Sequence, residues 1–229
     1  LVDIEGKSMI RRVWEKCEEI ASDTNIIIAT DDKRIEDHCS DNKMRVVRTS
    51  SECLTGTDRV AEASKKIKSD IYINVQGDEP FANPDDILKV AHQMEHGDHR
   101  EVVNCMSLIT NPDDFWNTTI PKVIAWDGML RYMSRAPVPY PYGPNEELWK
   151  RSGFQQVCVY GFFKHHLKQF MQGQIKSRHE EIEDIEILRF MEMGTPVRML
   201  EVEGSPLHVD TPADLERAQL IAKEYDAKE

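Results

Sequence analysis

The sequence predicts an α/β fold: a central, mostly parallel sheet with helices packed on both faces. Three observations lead there. Short apolar runs, 25–30 and 71–75, lack a period-two alternation and read as strands buried on both sides. The segments between them carry apolar residues every three or four positions, the spacing of amphipathic helices. The two kinds of segment alternate through the first half of the chain, which is the rhythm of β–α–β crossovers.

Taken in order, Ile10, Val13, Cys17 and Ile20 mark a first helix ending near Asp23. The run 25–30 leads into a short polar helix from Lys33 to Cys39, then a strand through Met44–Val47. Val60, Ala61, Ser64 and Ile67 form a helix that opens after Gly56-Thr57. The strand Ile71–Val75 runs into Gln76-Gly77-Asp78-Glu79-Pro80, and Pro84 starts a helix whose inner face is Ile87, Val90, Ala91 and Met94. Further strands are expected at Glu101–Leu108, Lys122–Trp126 and Met129–Ser134, the last two joined by an Asp127-Gly128 turn. Ala136 to Pro144 holds too many prolines for a central strand. Gln155–Gly161 returns to strand, Glu181–Glu192 to helix and Val197–Val202 to strand, before a helix carrying Leu215, Ala218, Ile221 and Ala222. The 229 residues are expected to form one domain, with residues 135–160 as an inserted arm.

Composition narrows the function. With 29 basic and 41 acidic residues the net charge is −12, which argues against a nucleic-acid partner. An acidic protein can still hold one nucleotide through a divalent cation and a few backbone N–H groups. Cys17, Cys39, Cys53, Cys105 and Cys158 form no CxxC pair, so reduced thiols of a cytoplasmic protein are expected. No apolar run approaches the ~18 residues of a membrane span.

Chemistry concentrates in three segments. Gln76-Gly77-Asp78-Glu79-Pro80 follows a buried strand, and ligands of open α/β sheets bind beyond the carboxyl ends of strands. Gly77 permits close backbone approach, and Asp78 offers a hard oxygen suited to Mg²⁺. In His208-Val209-Asp210-Thr211-Pro212-Ala213-Asp214, Thr211 is the N-cap, Pro212 the first helical residue and Asp214 completes a capping box. Asp210 therefore lies at a positive helix end. Cys53-Leu54-Thr55-Gly56-Thr57-Asp58-Arg59 supplies hydroxyls, a flexible glycine and a guanidinium before a helix. His92, His96 and His99 fall at helical spacing but sit beside Glu95 and Asp98, as a solvated helix end does.

These segments, together with Leu1-Val2-Asp3-Ile4-Glu5-Gly6-Lys7, Ile28-Ala29-Thr30-Asp31, Lys122-Val123, Ser134-Arg135-Ala136 and Val159-Tyr160-Gly161, resemble the 3-deoxy-manno-octulosonate (Kdo) cytidylyltransferases. The resemblance runs along essentially the whole chain, and Asn74-Val75-Gln76-Gly77-Asp78-Glu79-Pro80 with Val209-Asp210-Thr211-Pro212 is its most specific part. It implies a Rossmann-like nucleotidyltransferase fold with a smaller arm used for dimerisation and sugar binding. It implies transfer of CMP from CTP to a 2-keto-3-deoxy sugar acid, with release of pyrophosphate, for lipopolysaccharide or capsule precursors. Asp78 and Asp210 match the catalytic carboxylates that hold Mg²⁺; Gly56, Thr57, Arg59, Gln76 and Asp78 match the nucleotide side. Gln76, Arg135, Gln156, Tyr160, Glu183 and Glu186 match the sugar side, the last two being expected one turn apart on a single helix. The arm, with Trp149 and Phe154 nearby, implies a homodimer in the cytoplasm.

Three departures bear on these expectations. The family's opening strand and basic triphosphate loop would precede Leu1, so these residues are expected to carry the metal half of the site; a non-catalytic binding or dimerisation module is the alternative. Ile187 stands where the family pattern has a glutamine, and Gln156 where many members have a histidine. Both lie at the sugar end, which leaves 8-amino-Kdo or a nonulosonic acid open as acceptors. A sugar-1-phosphate nucleotidyltransferase is the remaining alternative.

Overall fold

In the computed structural model, which describes residues 1–142, 153–173, 175–205 and 207–226, each helix of the first half starts on a polar cap. A hairpin of β1 (Asp3–Ile4) and β2 (Lys7–Ser8) feeds α1 (Met9–Glu18), which Ser8 caps by accepting from the Arg11 N–H. Then come β3 (Ile28–Thr30), α2 (Lys33–Asp41), β4 (Val46–Arg48), α3 (Gly56–Ala63), β5 (Ile71–Val75) and α4 (Pro84–His96). Asp32, Thr55 and Asn83 cap α2, α3 and α4 in the same way. The second half contains β6 (Val102–Leu108), α5 (Pro112–Trp116), β7 (Lys122–Trp126), β8 (Met129–Ser134), β9 (Phe154–Phe163) and α6 (Lys164–Phe170). It ends with α7 (Arg178–Glu183), α8 (Ile187–Glu192), β10 (Val197–Glu201) and α9 (Pro212–Asp226).

Six strands form one sheet in the order β5-β9-β6-β10-β8-β7, while β3 and β4 pair in parallel beside it as a separate two-stranded ladder. The expected class, helices on both faces of a central sheet, stands. The sheet itself is mixed: β6 and β10 are its parallel neighbours, and its other pairings are antiparallel. The reason is β9, which runs back between β5 and β6 and separates two strands that point the same way.

The two faces of β9 show how the layers are packed. Val157, Val159 and Phe163 face Ile87, Val90 and Met94 of α4. Tyr160 and Phe162 face the opposite layer, among Ala61, Leu167, Phe170, Leu188 and Phe190. At Gly161, a β-carbon would lie 2.6 Å from Met94 Cγ and 2.9 Å from Val90 Cγ1, so only glycine lets α4 approach this closely.

Two boundaries are corrected. Residues 154–160 belong to β9, inside the sheet between β5 and β6, so the arm expected over 135–160 does not include them. Residues 143–152, which include Pro144 and Trp149, lie outside the described residues. The helix expected over Glu181–Glu192 is broken: the N–H of Asp184 closes α7 on Glu180, and Asp184 takes left-handed backbone (φ 53°), which a short polar side chain tolerates. A new helix then begins at Ile187. Glu183 and Glu186 thus flank a break, and they face different partners.

Candidate active site

The carboxyl end of β5 and the start of α9 are joined by main chain, the Val209 N–H donating to the Asp78 carbonyl at 3.1 Å. That bond brings Asp78 and Asp210 into one neighbourhood. Burial, then the charges of Glu79 and Asp210, lift the Asp78 carboxyl above the usual carboxylate range, with His208 partly offsetting them. Asp78 Oδ1 is buried and has no hydrogen-bond partner among the described residues. An orphaned buried carboxylate oxygen beside a second carboxylate is costly alone and fits a hard divalent cation such as Mg²⁺. The cap behind it forms as expected: Thr211 N–H and Oγ1 both bond Asp214 Oδ2, at 3.0 and 2.7 Å.

Glu79 and His208 also converge here. His208 Nδ1 lies 2.7 Å from Glu79 Oε1, and Glu79 is only 1% exposed. Burial works against a charged His208, but the Glu79 hydrogen bond and the charges of Glu79, Asp78 and Asp210 outweigh it and raise its pKa.

A second group gathers over the start of α3. The Thr57 N–H donates to Glu186 Oε2 at 2.8 Å, and Gln76 Nε2 to Glu186 Oε1 at 3.3 Å. Gly56 packs against Gln76, Asn74 and Glu186. Gly56, Thr57, Gln76 and Glu186, expected on two sides of the site, therefore meet. Burial raises the Glu186 carboxyl against the hydrogen bonds that hold it. Arg59 points elsewhere, bonding Thr49 Oγ1 at 2.7 Å and pairing with Asp31 at 3.0 Å beyond the ends of β3 and β4.

Deeper on the same face, Gln156 Nε2 donates to Tyr160 Oη at 3.2 Å and to Asn104 Oδ1 at 3.1 Å. Asn104 returns bonds to the Val157 and Val159 carbonyls across a bulge between β6 and β9. At the opposite edge Arg135 is anchored: its backbone N–H donates to Glu183 Oε2, and its guanidinium donates to the carbonyls of Glu183, Thr119 and Asp184. Glu183 also accepts from Ser134 Oγ at 2.7 Å. Nearby, Lys122 is buried with its ammonium on the Asn117 and Ile120 carbonyls; burial and the Arg135 charge push it down to about 8.

One feature of this framework escapes a residue-by-residue reading. Arg189 is buried between both oxygens of Glu180 and both of Asp58, tying the first turn of α3 to α7 and α8. His92 and His96 on α4 stack on each other, whereas His99, beyond the end of that helix, lies against Phe163. A polar cleft of about 430 Å³ opens at Lys7, Ser8, Arg11, His38 and Asn42, and a larger one of about 630 Å³ lies between α4 and β10, away from every expected site residue.

Comparison with known proteins agrees with the fold. The family described as "Cytidylyltransferase" matches residues 1–199. The 3-deoxy-manno-octulosonate cytidylyltransferase of Escherichia coli is 32% identical over 225 residues, 98% of this chain and 89% of that protein. The protein of the same name from Alcanivorax borkumensis is 34% identical over 226 residues, 95% and 89%. The solved structure of CMP:2-keto-3-deoxy-manno-octonic acid synthetase complexed with CTP matches with a TM-score of 0.87 and 33% identity, covering 98% of this chain and 91% of that one. A putative glucose-1-phosphate thymidylyltransferase from Bacillus anthracis (TM-score 0.68, 14% identity, 98% and 86% coverage) shares the fold alone. Among the described residues no helix is long and apolar enough to cross a membrane. A family match of that length, on a sheet of that shape, fixes the ancestry: the chain belongs to the cytidylyltransferase family.

Proposed function

We propose that this enzyme transfers CMP from CTP to the anomeric hydroxyl of a 2-keto-3-deoxy sugar acid, with Kdo as the acceptor. The bond from anomeric oxygen to α-phosphorus forms as the bond to pyrophosphate breaks, and the hydroxyl proton passes to solvent. The observation that carries this reading is the buried, unpartnered Oδ1 of Asp78 at a strand end beside Asp210. Asp78 and Asp210 would hold Mg²⁺, which supplies charge neutralisation at the phosphoryl group.

The remaining roles belong to the chain's own groups. Gly56 and Thr57 open α3 on the nucleotide side, and Arg59 would leave Thr49 and Asp31 to bring its guanidinium to the nucleotide. Gln76 and Glu186, held together over Thr57, present a hydrogen-bonding edge to sugar hydroxyls, with Tyr160 and Gln156 beneath, while Glu183 stands at the far edge with Ser134 and Arg135. Arg135, with Lys122 close by, gives the far edge positive charge suited to the sugar carboxylate. Tyr140 and Tyr142 are exposed, and Trp116 meets Tyr140 edge-on, which supports a homodimer through this region. Sedimentation should show a dimer; a monomer at assay concentration would remove that part.

Ile187 is buried in the core and Gln156 is committed to Asn104 and Tyr160, so neither departure from the family pattern argues against Kdo as the acceptor. The test is pyrophosphate release with CTP, Mg²⁺ and a panel of acceptors. Turnover is expected with Kdo or a close 2-keto-3-deoxy acid, whereas turnover with a sugar 1-phosphate alone would overturn the proposal.

A further inference from the structure

We propose that Glu79, Cys158 and His208 form a second cation site, distinct in chemistry from the Asp78–Asp210 pair and selective for zinc. The three side chains come from three parts of the fold: the loop after β5, the strand β9, and the loop before α9. Their donor atoms, a carboxylate oxygen, a thiol sulfur and an imidazole nitrogen, all lie within 4.8 Å of one another. Backbone pairing holds them there. Val75 of β5 pairs with Val159 of β9, next to Cys158, and the Val209–Asp78 bond locks the two loops carrying His208 and Glu79. A cluster fixed by main chain on three elements is preorganised, as a metal site requires.

A second observation points to a missing ligand. Glu79 is 1% exposed, and its Oε2 has no hydrogen-bond partner among the described residues, although His208 stands 2.7 Å from Oε1. A buried carboxylate oxygen left without a partner costs free energy that a cation would recover. The donor set then selects the ion. Mg²⁺ takes hard oxygen ligands, whereas sulfur, imidazole nitrogen and carboxylate oxygen together suit zinc. Three protein ligands leave a fourth position open. Binding displaces the thiol proton of Cys158 and the proton held between His208 and Glu79 to solvent. Zinc here would clamp the loops that carry Asp78 and Asp210, so the site positions the metal pair and takes no part in the transfer.

The test uses chelator-treated protein in excess Mg²⁺. Equilibrium dialysis with zinc, followed by elemental analysis, should show a single retained zinc per chain. Cobalt loaded in its place should give a thiolate charge-transfer absorption. Cys158→Ser should abolish that absorption, and Cys158→Ser and His208→Gln should each weaken zinc retention by at least about tenfold. Asp78→Asn should leave retention in place, which separates the two sites. No stoichiometric zinc in excess Mg²⁺, bound cobalt without a thiolate absorption in the wild-type protein, or retention unchanged in both ligand variants would each overturn the proposal.

Discussion

Replacing Arg189 by methionine, which is similar in reach but uncharged, should lower stability by about 3–5 kcal/mol, the cost of stranding a buried charge. Arg189 is 2% exposed, and its Nε and Nη2 each donate to Glu180 at 2.6 Å. Its Nη1 and Nη2 donate to Asp58 at 2.8 and 3.2 Å, and the guanidinium lies 3.8 Å over the Phe170 ring. Methionine keeps much of the contact with Phe170 but leaves Glu180, which is 0% exposed, with the Ser177 N–H at 2.8 Å as its remaining hydrogen bond here. In a domain of this size each kcal/mol moves Tm by about 2–4 °C, so a fall of roughly 6–20 °C is expected. Urea denaturation followed by circular dichroism reads the change directly. The double variant Arg189→Met/Glu180→Gln removes the stranded charge and should recover at least about 1 kcal/mol. A loss under about 1 kcal/mol, or a double variant no better than the single one, would refute the view that this ion cluster fastens α3 to α7 and α8.

Three further outcomes are expected. Gly161→Ala places a methyl 2.6 Å from Met94 and should cost about 1–3 kcal/mol in the same denaturation assay. Burial first, then Glu79 and Asp210, raise the Asp78 carboxyl; a raised carboxyl destabilises the fold as pH climbs above its unfolded value of about 4. Mg²⁺ should reverse that term, so its effect on Tm should grow from mildly acidic to neutral pH and vanish in Asp78→Asn; an effect independent of pH would contradict it. Burial and neighbouring His165 push His166 down to about 4. Its Nδ1 accepts the Phe163 N–H, so a neutral ring donates from Nε2 to the Arg100 carbonyl. An NMR titration should therefore place His166 near pH 4, and its contribution to stability should fall as pH drops from 6.5 toward that value. A midpoint near 6.5 would remove the assignment.

Features set by neighbours in sequence were legible before the structure. A buried strand ending at Gly77-Asp78 and a Thr-Pro-x-Asp helix start are local patterns, so both aspartates could be placed from residues alone. What escaped depends on distant partners. The return of β9 between β5 and β6 is a non-local pairing that apolar periodicity does not encode, which is why the sheet was expected to be mostly parallel. Asp184 looks like any acidic residue on a helix surface, yet its left-handed backbone turns Glu183 toward Ser134 and Glu186 toward Thr57. Arg189 meets Asp58 across 131 positions, and nothing around either residue announces the other. Cys158 was one of five scattered cysteines, and His208 merely preceded a motif, until the fold placed them beside Glu79. His166 binds a backbone carbonyl, a partner with no residue signature at all.

The most direct measurement is pyrophosphate release from CTP and Kdo in Mg²⁺, comparing the wild-type protein with Asp78→Asn and Asp210→Asn. A positioned cation at a phosphoryl centre contributes several kcal/mol, so each variant should lose roughly a hundredfold or more in turnover while keeping its circular dichroism spectrum. Near-normal turnover in either folded variant, or no pyrophosphate from the wild-type protein with CTP and Kdo, would contradict the assignment of Asp78 and Asp210 as the metal-holding pair of a sugar-acid cytidylyltransferase.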